Sequence, residues 1–110
     1  MQVTTRRLGK MAIIDVSGDI DLAHSPQMRT VLLRELKELK TPRLALNLTA
    51  VRYIDSSGIA SLIEGLKAAR DAKARFILFG LNTTVREVMQ LSKLVKIFEI
   101  VDTEAQATAE

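Results

Sequence analysis

Apolar positions alternate between a strand rhythm and a helix rhythm along this chain. Val3 to Arg7 and Lys10 to Val16 predict two strands around the turn Leu8-Gly9-Lys10, a hairpin. Met11, Ile13, Ile14 and Val16 mix alternation with an adjacent apolar pair, as in a strand near the middle of a sheet, and Ser17-Gly18-Asp19 predicts its end. Ser25 as N-cap and Pro26 as first helical residue then predict a helix with Met28, Val31, Leu32, Leu36 and Leu39 on its buried face, stopped by Thr41-Pro42.

From Arg43 onward strand and helix alternate. Leu44, Leu46 and Leu48 share one face of a strand over Arg43–Leu48. Ile59, Leu62, Ile63, Leu66 and Ala69 fall at helical spacing and predict a helix over about Ser56–Asp71. Gly65 lies inside that helix, where close packing against a neighbour explains it best. Arg75–Phe79 is a continuous apolar strand. Asn82 caps a helix with Val85, Val88, Met89 and Leu91 inward, Lys96–Val101 is a last strand, and Asp102 or Thr103 opens a terminal helix. This order predicts an α/β fold with parallel pairing and crossover helices.

Composition narrows the function. At 110 residues and 47% hydrophobic content the chain is expected to form one domain with a packed core. The 16 basic and 13 acidic residues are interspersed, so the net charge of +3 reads as solvated helix faces, with no stripe for nucleic acid. Cysteine is absent, which removes disulfides and thiolate metal sites. Residues 1–20 contain no apolar h-region, and no apolar run reaches the roughly 18 residues of a membrane span. A cytoplasmic protein without direct membrane insertion is expected.

The sharpest chemistry lies at the junction Asp55-Ser56-Ser57, where a strand passes into a helix. Free backbone N–H groups and the helix dipole favour an anion there. Ser and Asp are also among the best N-caps, so position alone leaves capping and phosphorylation both open. Catalysis is not expected. His24 is the only histidine and reads as a surface residue, Ser56 lies outside any Gly-x-Ser-x-Gly elbow, and no Walker or dinucleotide pattern occurs. Asp15, Asp19, Asp21 and Asp55 without histidine partners do not resemble a zinc site, and no metal or cofactor is expected.

Asp55-Ser56-Ser57-Gly58-Ile59, between a leucine-rich strand and an amphipathic helix, resembles the signature of STAS domains, in particular of bacterial anti-sigma factor antagonists. Gly18-Asp19-Ile20-Asp21, Phe76–Gly80 and Asn82-Thr83-Thr84-Val85 match further elements in the family's order, over roughly Val3 to Thr108. The resemblance implies a single STAS-like domain: a small mixed, mostly parallel β-sheet with an antiparallel edge hairpin and helices mainly on one face.

It also implies a mechanism. A serine kinase that is itself an anti-sigma factor would phosphorylate Ser56, the first serine of the motif. Unphosphorylated antagonist binds the kinase and frees the sigma factor; the phosphorylated form is released, and a PP2C-type serine phosphatase restores it. Asp55 and Asp21 would orient the Ser56 hydroxyl and repel a bound phosphate, although Asp21 also suits a turn-stabilising role. Ser57 would serve as a cap, Gly58 would allow close approach of the partner or of the helix start, and Tyr53, Ile59 and Ala60 would supply apolar contact. Gly58-Ile59-Ala60-Ser61 departs from the family's frequent Gly-Leu-Gly-Val and leaves the partner more open than the phosphoacceptor. An accessory subunit docking on a lipid-transport ABC ATPase, and a nucleotide-binding STAS module, are the alternatives.

Overall fold

The computed structural model describes residues 1–109. Five strands form one sheet in sequence order: β1 (Gln2–Leu8), β2 (Met11–Ile20), β3 (Arg43–Ile54), β4 (Arg75–Phe79) and β5 (Glu99–Val101). β1 and β2 pair antiparallel through the Gly9-Lys10 turn, with Leu8 opposite Met11. Every later pairing is parallel, and the intervening helices carry the chain back across the sheet.

Helices α1 (Ser25–Leu33), α2 (Ser56–Ala72) and α3 (Thr83–Leu91) cover one face. Met28, Leu32, Leu62, Val85 and Met89 pack there on Ile14, Leu44, Leu46 and Leu78. Among the described residues the opposite face holds only the short helix α4 (Glu104–Thr108), whose Ala107 packs on Ile13, Ala45, Ile77 and Phe79. This is the expected mixed sheet with helices mainly on one side. Close packing at Gly65 is also as expected: a Cβ there would stand 3.2 Å from Leu32 Cδ1 and 3.4 Å from Phe76 Cζ.

Two strands run further than the alternation indicates. β2 continues through Ser17-Gly18-Asp19 to Ile20, and β3 continues six residues past Leu48. The register slips between Asp15 and Ser17 and again between Gly18 and Asp19, so β3 gains an extra residue each time. These bulges space buried Leu48, Val51 and Ile54 three apart, a period that does not read as a strand. β5 is correspondingly shorter than expected, starting at Glu99.

The first helix departs from prediction at both ends. Ser25 is its first residue and is buried; the loop before it is tied by Asp21, whose backbone carbonyl accepts from Ser25 N–H at 2.8 Å. At the other end a π-helical turn, Arg34–Glu38, follows α1. Its wider hydrogen bonding, Leu39 N–H to Arg34 O at 3.0 Å, changes which side chains face the core. Glu35 and Leu36 are both buried, while Leu39, expected inside, is 47% exposed. Glu35 is neutralised in place: Arg7 donates to both its carboxylate oxygens (2.9 and 2.7 Å) and Thr41 Oγ1 donates at 2.8 Å. Leu91, also expected inward, is 84% exposed at the end of α3.

Candidate functional site

The extended ends of β2 and β3 bring two loops together beside the start of α2. Ile20 pairs with Ile54, and Asp55 N–H donates to Ile20 O at 3.2 Å. The motif Gly18-Asp19-Ile20-Asp21 therefore lies alongside Tyr53-Ile54-Asp55-Ser56, although more than thirty residues separate them in sequence.

Capping of α2 falls to Asp55. Its backbone is extended, and Oδ1 accepts from Ser57 N–H at 2.9 Å and Gly58 N–H at 3.1 Å. This corrects the assignment of the cap to Ser57, and it commits the Asp55 carboxylate to the backbone instead of to the serine hydroxyl. Ser56 is the first helical residue, exposed, and its hydroxyl makes no hydrogen bond among the described residues. Ser57 is half-buried beside it.

Asp21 is similarly occupied. Its Oδ1 accepts from His24 N–H at 3.0 Å and from the His24 ring Nδ1–H at 2.7 Å. An ionised carboxylate only accepts, which places the ring proton on Nδ1. Desolvation raises the Asp21 pKa, but the bonds and charge of His24 outweigh it and hold the carboxyl below its ordinary value. The turn-stabilising role thus describes Asp21, and the expected bond to Ser56 is absent among the described residues.

Gly58 belongs to the interior. A Cβ there would meet Ile20 O and Ile54 Cγ1 at 2.6 Å and Ile20 Cγ2 at 2.8 Å. Only a bare Cα lets the helix start approach the end of β2 this closely. Ile59 is also buried, 7% exposed, so it anchors the helix in the core and offers no free apolar surface. The exposed apolar groups flanking Ser56 in sequence are Tyr53 (46% exposed) and Ala60, and Leu22 (74% exposed) lies in the loop that follows Ile20, whose carbonyl meets Asp55 N–H. Leu22 carries no signal in the sequence, because only the pairing of β2 with β3 places the start of its loop beside the start of α2.

Asn82 joins the far side of the site to the sheet. It caps α3 by accepting from Val85 N–H at 2.8 Å, and its Nδ2 donates to Val51 O at 2.7 Å. The remaining carboxylates separate: Asp19 lies 3.5 Å from Arg52, and Asp15 joins Arg6 and Asn47. Among the described residues no group of three potential ligands could hold a metal ion, and no helix is long and apolar enough to cross a membrane.

The molecule is thus a five-stranded α/β module with an unengaged serine at the capped start of its central helix. The chain belongs to the STAS domain family, whose pattern matches residues 2–107. It is 30% identical over 94 residues to the anti-sigma-B factor antagonist of Listeria monocytogenes, covering 84% of this chain and 81% of that protein. In structure it is similar to an anti-sigma factor antagonist from Mycobacterium paratuberculosis (TM-score 0.86, 21% identity, 96% of this chain and 89% of the other). It is also similar to the phosphorylated form of the Bacillus cell fate determinant SpoIIAA (TM-score 0.76, 21% identity, 96% of each chain).

Proposed function

We propose that this chain acts as one STAS unit and as an anti-sigma factor antagonist, switched by phosphorylation of Ser56. The observation that carries the reading is the division of labour at the start of α2. Asp55 satisfies the free N–H groups, and Ser56 is exposed with an uncommitted hydroxyl. The cap is supplied without the Ser56 hydroxyl, which stays free for a kinase. The relatives support the same reading, since the Listeria protein is named for antagonism of an anti-sigma factor and SpoIIAA carries a phosphate on the same fold.

The partner is an anti-sigma factor serine kinase related to histidine-kinase ATPases, with a PP2C-type serine phosphatase resetting the switch. Tyr53, Ala60 and Leu22 form the apolar part of the contact, and Asp21, Asp55 and Ser57 shape the polar rim while Gly58 and Ile59 hold the helix start in place. Phosphate adds about −1.5 to −2 charges at the centre of that surface. The helix N-terminus tolerates this charge internally, whereas the partner must desolvate it. A change of about 3 kcal/mol in binding shifts affinity more than a hundredfold, without any refolding. The protein's role is recognition, and it supplies no catalytic group of its own.

Affinity capture from the native host with Ser56→Ala and Ser56→Asp baits tests this. A kinase held by the Ala bait and lost from the Asp bait is the expected result. Equal capture of ABC transporter subunits by both would replace it with a constitutive docking role.

A further inference from the structure

A second surface lies along the other half of α2. Between α1 with its π-turn and the C-terminal half of α2 run two adjoining hollows of about 310 and 360 Å³, which share Lys37, Ala68 and Asp71. Leu33 and Ala72 supply its accessible apolar lining, over a floor closed by buried Leu36 and Ala68. With 1.5 Å of rise per residue, the stretch Glu64–Ala72 lies about 12 to 24 Å along the helix from Ser56.

Charge around this groove is unbalanced. Arg29 and Glu64 neutralise each other in an ion pair. Lys37, Lys40 and Lys67 are exposed, and among the described residues none is in an ion pair. Asp71 is the one acid left against these three cations. Lys37 stands on the π-turn, and Lys40 adopts the left-handed backbone (φ +52°) that closes it, as Lys73 does at the end of α2. Buried Glu35, tied to Arg7 and Thr41, makes that wall rigid.

We infer that this groove docks an acidic amphipathic helix of a partner protein, separately from the Ser56 surface. The groove is open along its length, with alanines in place of large residues on α2, which suits a helix laid in from above. Leucines on that helix would meet the apolar lining, and carboxylates on its flanks would meet Lys37, Lys40 and Lys67. Such a contact survives phosphorylation of Ser56, so it would keep a partner tethered while the other surface switches.

The test uses the full chain and a synthetic helical peptide of about sixteen residues, with leucines at i, i+3, i+4 and i+7 and flanking glutamates. Amide chemical shifts are expected to move over residues 33–40 and 64–72 and to stay still at 53–60. Lys37→Glu with Lys67→Glu, both at exposed positions, is expected to weaken binding at least tenfold while leaving the amide spectrum native-like. Ser56→Asp is expected to leave it unchanged, which separates this inference from the switch at Ser56. Equal binding of a lysine-flanked peptide, shifts centred on Ser56, no binding at millimolar peptide, or binding only to phosphatidylglycerol vesicles would each overturn it.

Discussion

The Asp55 carboxylate caps the helix that Ser56 begins, bonding the N–H groups of the two residues beyond it and passing over Ser56 itself. The cap and the exposed hydroxyl of the motif are thereby divided between neighbouring side chains. Asp55→Ala is expected to cost about 1 kcal/mol of folding stability, as for loss of a good N-cap. Ser56→Ala and Ser56→Asp should each stay within about 0.5 kcal/mol of the parent, as exposed changes do. Urea denaturation of the three variants measures the difference. A larger loss for Ser56→Ala than for Asp55→Ala would return the cap to the serine.

Gly58 tests the seating of the helix start. Alanine is worth roughly 1 kcal/mol more than glycine in a helix, but a Cβ here meets Ile20 O and Ile54 Cγ1 at 2.6 Å. Overpacking of about 1–3 kcal/mol wins, so Gly58→Ala should be net destabilising. Denaturant midpoints of this variant and the parent decide the sign.

Arg6 sits between two carboxylates on the open face of the sheet, donating to Asp15 (2.6 and 2.8 Å) and to Glu104 (3.2 and 2.6 Å). Its hydrogen bonds hold Asp15 below its ordinary 3.8, against partial desolvation and with help from Asn47, and hold Glu104 below 4.5. A carboxyl whose pKa is lower folded than unfolded contributes stability above the unfolded value, and that stability is lost as pH falls through the folded value. Arg6→Gln should therefore cost about 1 kcal/mol near pH 7, the upper end for exposed pairs, and little once both carboxyls are protonated. Denaturation from pH 7 down past pH 3 should show the two curves converging.

The buried Glu35 predicts a different response. Arg7→Ala leaves Thr41 as its remaining side-chain partner and strands a charge at a position only 4% exposed. A loss of about 1–3 kcal/mol is expected, and Glu35→Gln in the same background should recover part of it by removing the charge. A double-mutant cycle over Arg7 and Glu35, read by urea unfolding, measures the coupling.

Much of this protein is legible without coordinates. Alternation and helical spacing mark the hairpin, Arg75–Phe79, α2 and the Asn82 cap, because each is a local pattern with a local cause. The Asp-Ser-Ser motif at a strand-to-helix junction is equally local, and it singles out Ser56. What local pattern misses is the bulged half of β3, whose three-residue spacing arises from pairing with β2, and the π-turn that buries Glu35 and exposes Leu39.

The sequence by itself determined the α/β order, the family and the serine at the start of the central helix. Tertiary structure decided which neighbour does what. Asp55 became the cap, Asp21 turned to His24, Gly58 and Ile59 went into the core, and the loop after Ile20 came beside the start of α2. The reason is that a side chain's role there depends on which backbone N–H groups and surfaces remain unsatisfied once β2 and β3 have paired. That pairing joins residues more than thirty positions apart, beyond the reach of any local periodicity.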